Sequence, residues 1–268
     1  MSGLLRAGHD SAAAEGRISD GREKSMNRET IKYIAMAAML LNHIAIVFLD
    51  PGTVLCEALI DVGYFTAAAM CCFLAEGYQY TRSKKNYALR LAVFAVLSEI
   101  PYCLAFTEDG YLSFCGMNMM FTLLLCFGIV HVMTTMPKGS GRTGLLSALV
   151  LLSLISDWAL AAPIFTIWFV KAGKDRKSIR NAFGKAMLLF GILNLPQNLQ
   201  RYPVGEALVR TVCCTFGIAA AGICITFFYN GKQMERGQKF SKWFFYLFYP
   251  VHLLILGVLR IAVTEGIL

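Results

Sequence analysis

Apolar residues dominate long stretches of this chain, and short polar stretches separate them. The runs occupy residues 31–49, 56–80, 87–107, 118–136, 143–157, 159–171, 183–198, 206–229 and 242–263. A helix needs about 20 apolar residues to cross a bilayer, within a range of roughly 17–25. The pattern therefore predicts an all-α fold, a polytopic transmembrane helical bundle of about nine spans. The fifth to seventh runs are short, and Pro163 and Pro196 interrupt them. Half-spans or a re-entrant hairpin fit them equally well. Residues 1–27 differ in kind: Gly, Ala, Ser and charges, without a periodic apolar face. They read as a disordered cytoplasmic tail ahead of one membrane domain over residues 28–268. Met26 opens Met-Asn-Arg-Glu-Thr directly before the first span, which also fits a natural start there.

Composition agrees with the pattern. Of 268 residues, 57% are hydrophobic and 16% charged, against about 25% charged in soluble domains. The net charge of +8 does not point to nucleic acid, because the Lys and Arg residues sit in short loops between apolar runs. Such charges set orientation and meet anionic head groups, so the bilayer is the expected partner. Basic groups (Arg22 to Lys32, Arg82 to Arg90, Lys138 to Arg142, Lys171 to Lys185, Lys232 to Lys242) alternate with acidic ones (Asp50 and Glu57, Glu108 and Asp109, Asp157). With Arg201 and Arg210 the one exception, the alternation places the amino terminus in the cytoplasm and the carboxy terminus outside. Most of the nine cysteines lie in apolar runs and behave as small hydrophobes. Cys56 and Cys115 fall near outer loops, where a disulfide between them is conceivable. No cysteine pair has metal-ligand spacing, so no metal is expected.

The chemistry lies in polar residues inside the runs. An ionisable group in hydrocarbon is costly and marks function by default. His43 lies roughly 9 Å below the outer end of the first span, at 1.5 Å per residue. Asp61 lies roughly 8 Å into the second, and Glu99 about 12 Å into the third. The three are expected to converge at one level. A carboxylate that accepts from one ring nitrogen raises the basicity of the other, which is how a general base is built. His252, in Tyr249-Pro-Val-His252, falls near mid-bilayer in the last span, where Pro250 frees a carbonyl and bends the helix. His131 reads as structural, and Glu76 as an interfacial ion pair with Arg82. Facing the cytoplasm, Arg82, Lys84, Lys85 and Arg90 form a compact basic group able to hold phosphates. Such a loop is also an ordinary orientation signal.

Several blocks resemble the TraX family. Glu76-Gly-Tyr, Tyr80-Thr-Arg-Ser-Lys-Lys85, Tyr87-Ala-Leu-Arg90 and Ser98-Glu-Ile-Pro-Tyr102 are similar to its second and third spans. Leu41-Asn-His43 resembles its first-span signature, Phe121-Thr-Leu-Leu-Leu125 and Asp157 fall where it has similar segments, and Phe240 to Leu254, with Tyr249-Pro-Val-His252, resembles its carboxy-terminal signature. The chain departs from the pattern at Asn42, where Asp is usual, and at Tyr64, where Arg is usual. The resemblance implies an integral acyltransferase of the bacterial inner membrane that takes an acetyl group from cytoplasmic acetyl-CoA. It makes His43 the catalytic base. In that scheme Asp61 or Glu99 orients His43, and Tyr249 and His252 polarise the thioester or hold the acceptor. Arg82, Lys84, Lys85 and Arg90 hold the donor phosphates. The acceptor is an amine or hydroxyl of unknown identity. Two rivals use the same residues: a small proton-coupled transporter, and a membrane component without catalysis.

Overall fold

The computed structural model describes residues 26–107 and 110–266. The expected tail over residues 1–25, and the loop acids Glu108 and Asp109, lie outside the described residues. Met26 and Asn27, counted with the tail above, are in place. Met26 exchanges backbone hydrogen bonds with Phe228 and Asn230, and the Asn27 side chain caps the first helix through the Thr30 amide.

The described residues form helices and no strand. They are α1 (Arg28–Phe48), α2 (Val54–Tyr80), α3 (Lys84–Phe106), α4 (Met119–Thr135), α5 (Ser140–Leu152), α6 (Ala161–Ala172), α7 (Arg176–Arg201), α8 (Val204–Cys213), α9 (Phe216–Ile223) and α10 (Gln238–Thr264). Side-chain caps start several of them, by Asn27, Thr53, Ser83, Asn118 and Asp175, each satisfying an otherwise orphan amide. Five segments are long and apolar enough to cross a membrane: α1, α2, α3, the run Val204–Phe228 built from α8 and α9, and α10. Residues 119–135, 140–155 and 161–172 are apolar but shorter. Pro163 does not interrupt α6. It is the third residue of that helix, where its missing N–H has no intrahelical partner to lose. Pro101, Pro196 and Pro250 lie inside helices that continue past them.

Helix α2 is the hub. In its most apolar stretch 56% of residues are buried inside the protein, against 28–39% in the other four long segments. It packs along α1 and also against α4, α6 and α9, while α3 packs on α10. Small residues permit this. Ala67, Ala68, Ala69 and Cys71 are almost wholly buried. Gly63 lies under Asn42 of α1, and Gly217 of α9 under the backbone of Asp61 and Phe65. Close backbone approach at Gly and Ala is how helices associate in lipid, where burying apolar surface brings little gain. The outward positions are apolar instead: Val96 and Ile100 of α3 and Leu188 of α7 are highly exposed, as befits a face toward acyl chains.

Candidate functional site

His43 reaches the interior from α1 and His252 from α10, and they meet across 209 residues of sequence. His43 Nδ1 and His252 Nε2 are 2.8 Å apart, with the ring planes at 5°. His252 Nδ1 lies 2.7 Å from the carbonyl oxygen of Phe248. A carbonyl only accepts, so His252 Nδ1 carries a proton and its Nε2 is the acceptor. His43 Nδ1–H must then be the donor to it. That leaves the His43 Nε2 lone pair free. The chain Phe248 carbonyl, His252, His43 thus fixes the tautomer of His43, as the hydrogen bond at one ring nitrogen does in any imidazole.

The orienting group is therefore the second imidazole, where the sequence pointed to Asp61 or Glu99. Both acids are elsewhere, for geometric reasons. On α2, Gly63 faces Asn42 of α1, and two residues turn a helix by about 200°. Asp61 consequently faces α9, with its backbone against Gly217. It sits one turn beyond Glu57, which pairs with Arg210 at 3.3 Å. Glu99 binds the start of α4: its Oε2 accepts from Asn118 Nδ2 at 2.6 Å and from the Asn118 amide at 3.3 Å. It touches the site only at second hand. The helix end it secures donates the Met119 amide to the Tyr249 hydroxyl at 3.1 Å. Tyr249 accepts there, so its own proton is free to be donated.

His43, Tyr249 and Tyr102 line a cavity of about 220 Å³, together with Asn42, Tyr64, Asp157 and Trp158. Neither Asp61 nor Glu99 lines it. Asn42 is bound into its wall: its Nδ2 donates to the Ile60 carbonyl at 3.0 Å. An ionised Asp at this position could not make that bond. The sequence marks Asp157 as a loop acid and as falling where the TraX family has a similar segment, but gives it no part in the site.

A second cavity, of about 510 Å³, adjoins the first. Met70, Met120, Leu123 and Phe245 line both and form a neck between them. The walls of the second cavity carry Arg28, Lys32, Arg82, Arg90, Lys239 and Lys242, with one acid, Glu29. Glu29 is already engaged by the Met234 amide at 2.6 Å. Among the described residues none of these cations is in a salt bridge. Arg28 Nε, Arg90 Nε and Ser241 Oγ are buried without a hydrogen-bond partner, and buried donors left unmatched are costly. Of the four basic residues singled out in the sequence, Arg82 and Arg90 face this chamber. Lys84 is turned back onto the carbonyls of Tyr78 and Thr81, and Lys85 is exposed outside the lining. Arg28, Lys32, Lys239 and Lys242 were missed because they come from helix ends far apart in sequence.

The remaining expectations concern neighbours of the site. His131 is structural, with Nδ1 2.7 Å from the Tyr78 hydroxyl. Glu76 accepts from the Tyr229 hydroxyl at 2.9 Å instead of pairing with Arg82. Cys56 is buried with its thiol toward the Ala45 carbonyl, and Cys115 is exposed; both are free thiols. Among the described residues no cluster of His, Cys, Asp or Glu could hold a metal ion.

These features define a class: an all-helical protein with several apolar helices of membrane-spanning length, a buried imidazole pair, and an anion-attracting chamber behind it. The family model for TraX protein matches residues 27–260, and the chain belongs to that family. It is 32% identical over 237 residues to the probable fimbrial assembly protein FimC, serogroup H1, of Dichelobacter nodosus. That alignment covers 84% of this chain and 92% of the relative. No solved structure matches.

Proposed function

We propose that this TraX-family protein is an integral membrane acyltransferase of the bacterial inner membrane, with the basic chamber opening to the cytoplasm. It moves an acetyl group from acetyl-CoA to an amine or hydroxyl acceptor. The observation that carries this reading is that the two cavities adjoin, with Met70, Met120, Leu123 and Phe245 in the walls of both. Six cations and three unmatched donors suit the phosphates of a coenzyme A, held by charge-assisted bonds. The neck is apolar and suits its uncharged arm. Lys32 in the basic chamber and His43 in the inner cavity are both on α1, 11 residues or about 16 Å apart along the axis. Lys242 and His252 repeat that spacing on α10 at about 15 Å. A donor anchored by its phosphates would present its thioester at the imidazole pair.

In the reaction His43 Nε2 takes the proton of the acceptor as its heteroatom attacks the thioester carbonyl. The Tyr249 hydroxyl donates to the carbonyl oxygen as negative charge develops there. The carbon–sulfur bond then breaks, and the departing thiolate recovers the proton from His43. The products are the acylated acceptor and free CoA. The fimbrial role in the name of the Dichelobacter relative makes a fimbrial subunit a rational acceptor to try.

The test is transfer from radiolabelled acetyl-CoA by purified protein, with peptides, sugars and hydroxylamine as acceptors. His43→Gln should insert and fold yet lose transfer by about 10²–10⁴-fold, the usual worth of a general base. Undiminished transfer by that variant would take His43 out of the mechanism. Arg82→Ala combined with Arg90→Ala should raise the KM for acetyl-CoA at least tenfold and leave kcat near wild type. An unchanged KM would move the phosphate site elsewhere.

A further inference from the structure

The loop between α5 and α6 carries Asp157, the only carboxylate among the described residues that lines the inner cavity. Two residues beside it hold left-handed backbone, Trp158 at φ 58° and Leu160 at φ 60°, and neither is glycine. Such conformations cost on the order of 1–3 kcal/mol each and persist only where the surroundings over-determine them. Here they are over-determined. The Met117 amide donates to the Ile155 carbonyl at 2.8 Å, and the Asp157 amide to the Met117 carbonyl at 2.8 Å. The Thr122 hydroxyl donates to the Asp157 carbonyl at 2.6 Å, and the Leu160 amide to the Ser153 hydroxyl at 3.1 Å. Trp158 stacks on Phe190 and meets Tyr64 edge-on. All this fixes the backbone that carries Asp157 into the wall of the cavity that His43 also lines. Among the described residues no Lys or Arg lines that cavity to neutralise it.

We propose that Asp157 is a positioning residue for acyl transfer: its negative charge stabilises the imidazolium that forms when His43 takes the proton of the acceptor. This rests on the acyl-transfer reading above. Within a cavity of about 220 Å³, a carboxylate and an imidazolium interact through little water, where charge pairs are strong. The charge on Asp157 is present before the reaction, whereas the charge on His43 exists only once proton transfer begins. The interaction therefore favours the transition state over the ground state, which is what raises kcat. Asp157 thus supplies the counter-charge that the sequence seeks in Asp61 and Glu99.

The experiment uses the full-length protein in detergent, with acetyl-CoA as donor and hydroxylamine as acceptor, reading hydroxamate and free CoA. Asp157→Asn should lower kcat about 100-fold with the acetyl-CoA KM unchanged. Asp157→Glu should recover at least a tenth of the wild-type kcat. Asp157→Ala should regain activity when formate is added and none when chloride is, because formate restores the charge in the space the side chain leaves. That rescue is a measurement on folded protein and separates charge from packing. A wild-type kcat in Asp157→Asn overturns the inference. So does a loss that neither Glu nor formate repairs, or one that appears as a raised donor KM. Wild-type protein that releases no CoA with any acceptor overturns the acyl-transfer reading itself, and this inference with it.

Discussion

His252 never lines the inner cavity, yet it sets which nitrogen of His43 is bare. Its own tautomer is dictated by the Phe248 carbonyl at 2.7 Å. Replacing it with Phe keeps a flat ring in the same slot but removes the acceptor for His43 Nδ1–H. The His43 proton is then free to move to Nε2, and the ring facing the acceptor ceases to be a base. His252→Phe should cost about 10²-fold in kcat, a smaller loss than His43→Gln, with the acetyl-CoA KM unaltered. Steady-state kinetics on the two variants check this, and equal losses in both would mean that His252 also contacts substrate. The sequence made both imidazoles conspicuous, since ionisable groups in apolar runs stand out. Depth along a helix is legible from residue number at 1.5 Å per residue. Azimuth is not, because it depends on which neighbour each face meets. Asp61 has the right depth and the wrong face. The pairing of His43 with His252 joins the first and last helices, and no local pattern encodes it.

Helix existence, by contrast, is local, so the hydrophobic runs mark it well: 31–49 became Arg28–Phe48, and 242–263 became Gln238–Thr264. The break between residues 152 and 161 is legible only as the gap at Trp158 between the runs 143–157 and 159–171, and the positive φ of Trp158 and Leu160 is not written in hydropathy at all. Packing between elements depends on glycines whose need is visible only once the partner is known. Gly217 is one. A Cβ there would overlap the Asp61 carbonyl oxygen of α2, and backbone cannot swing aside as a side chain can. Gly217→Ala should push α9 off the hub helix and cost about 1–3 kcal/mol, as overpacking usually does. Gly184 of α7 is the matched control, for its added Cβ meets nothing within 4 Å. Gly184→Ala should be neutral or stabilising by up to about 1 kcal/mol, since Ala is the better helix former. Thermal unfolding of both variants in detergent decides it, and equal midpoints would contradict the close α2–α9 packing.

For the molecule as a whole, the reading makes two chambers work as one site through a neck of four side chains, Met70, Met120, Leu123 and Phe245. The chambers draw on helices from both ends of the chain, and so their union is a property of the fold that sequence spacing cannot display. Blocking the neck should uncouple them. Leu123 is almost wholly buried on α4, and Leu123→Trp would fill the constriction while leaving every cation of the outer chamber and both imidazoles in place. Adenosine 3′,5′-bisphosphate carries phosphates without the arm, so it should stabilise wild type and Leu123→Trp alike. A ligand at about 100 times its Kd contributes about 2.7 kcal/mol, which at 2–4 °C per kcal/mol for a protein of this size raises Tm by about 5–10 °C. Acetyl-CoA turnover should fall at least 100-fold in the variant, because the thioester no longer reaches His43. Raised salt should erase the bisphosphate effect in both proteins, since phosphate contacts at an open basic mouth are screened. Turnover that survives in Leu123→Trp would mean that the acyl group enters by another route, and the basic chamber would then hold some other anion.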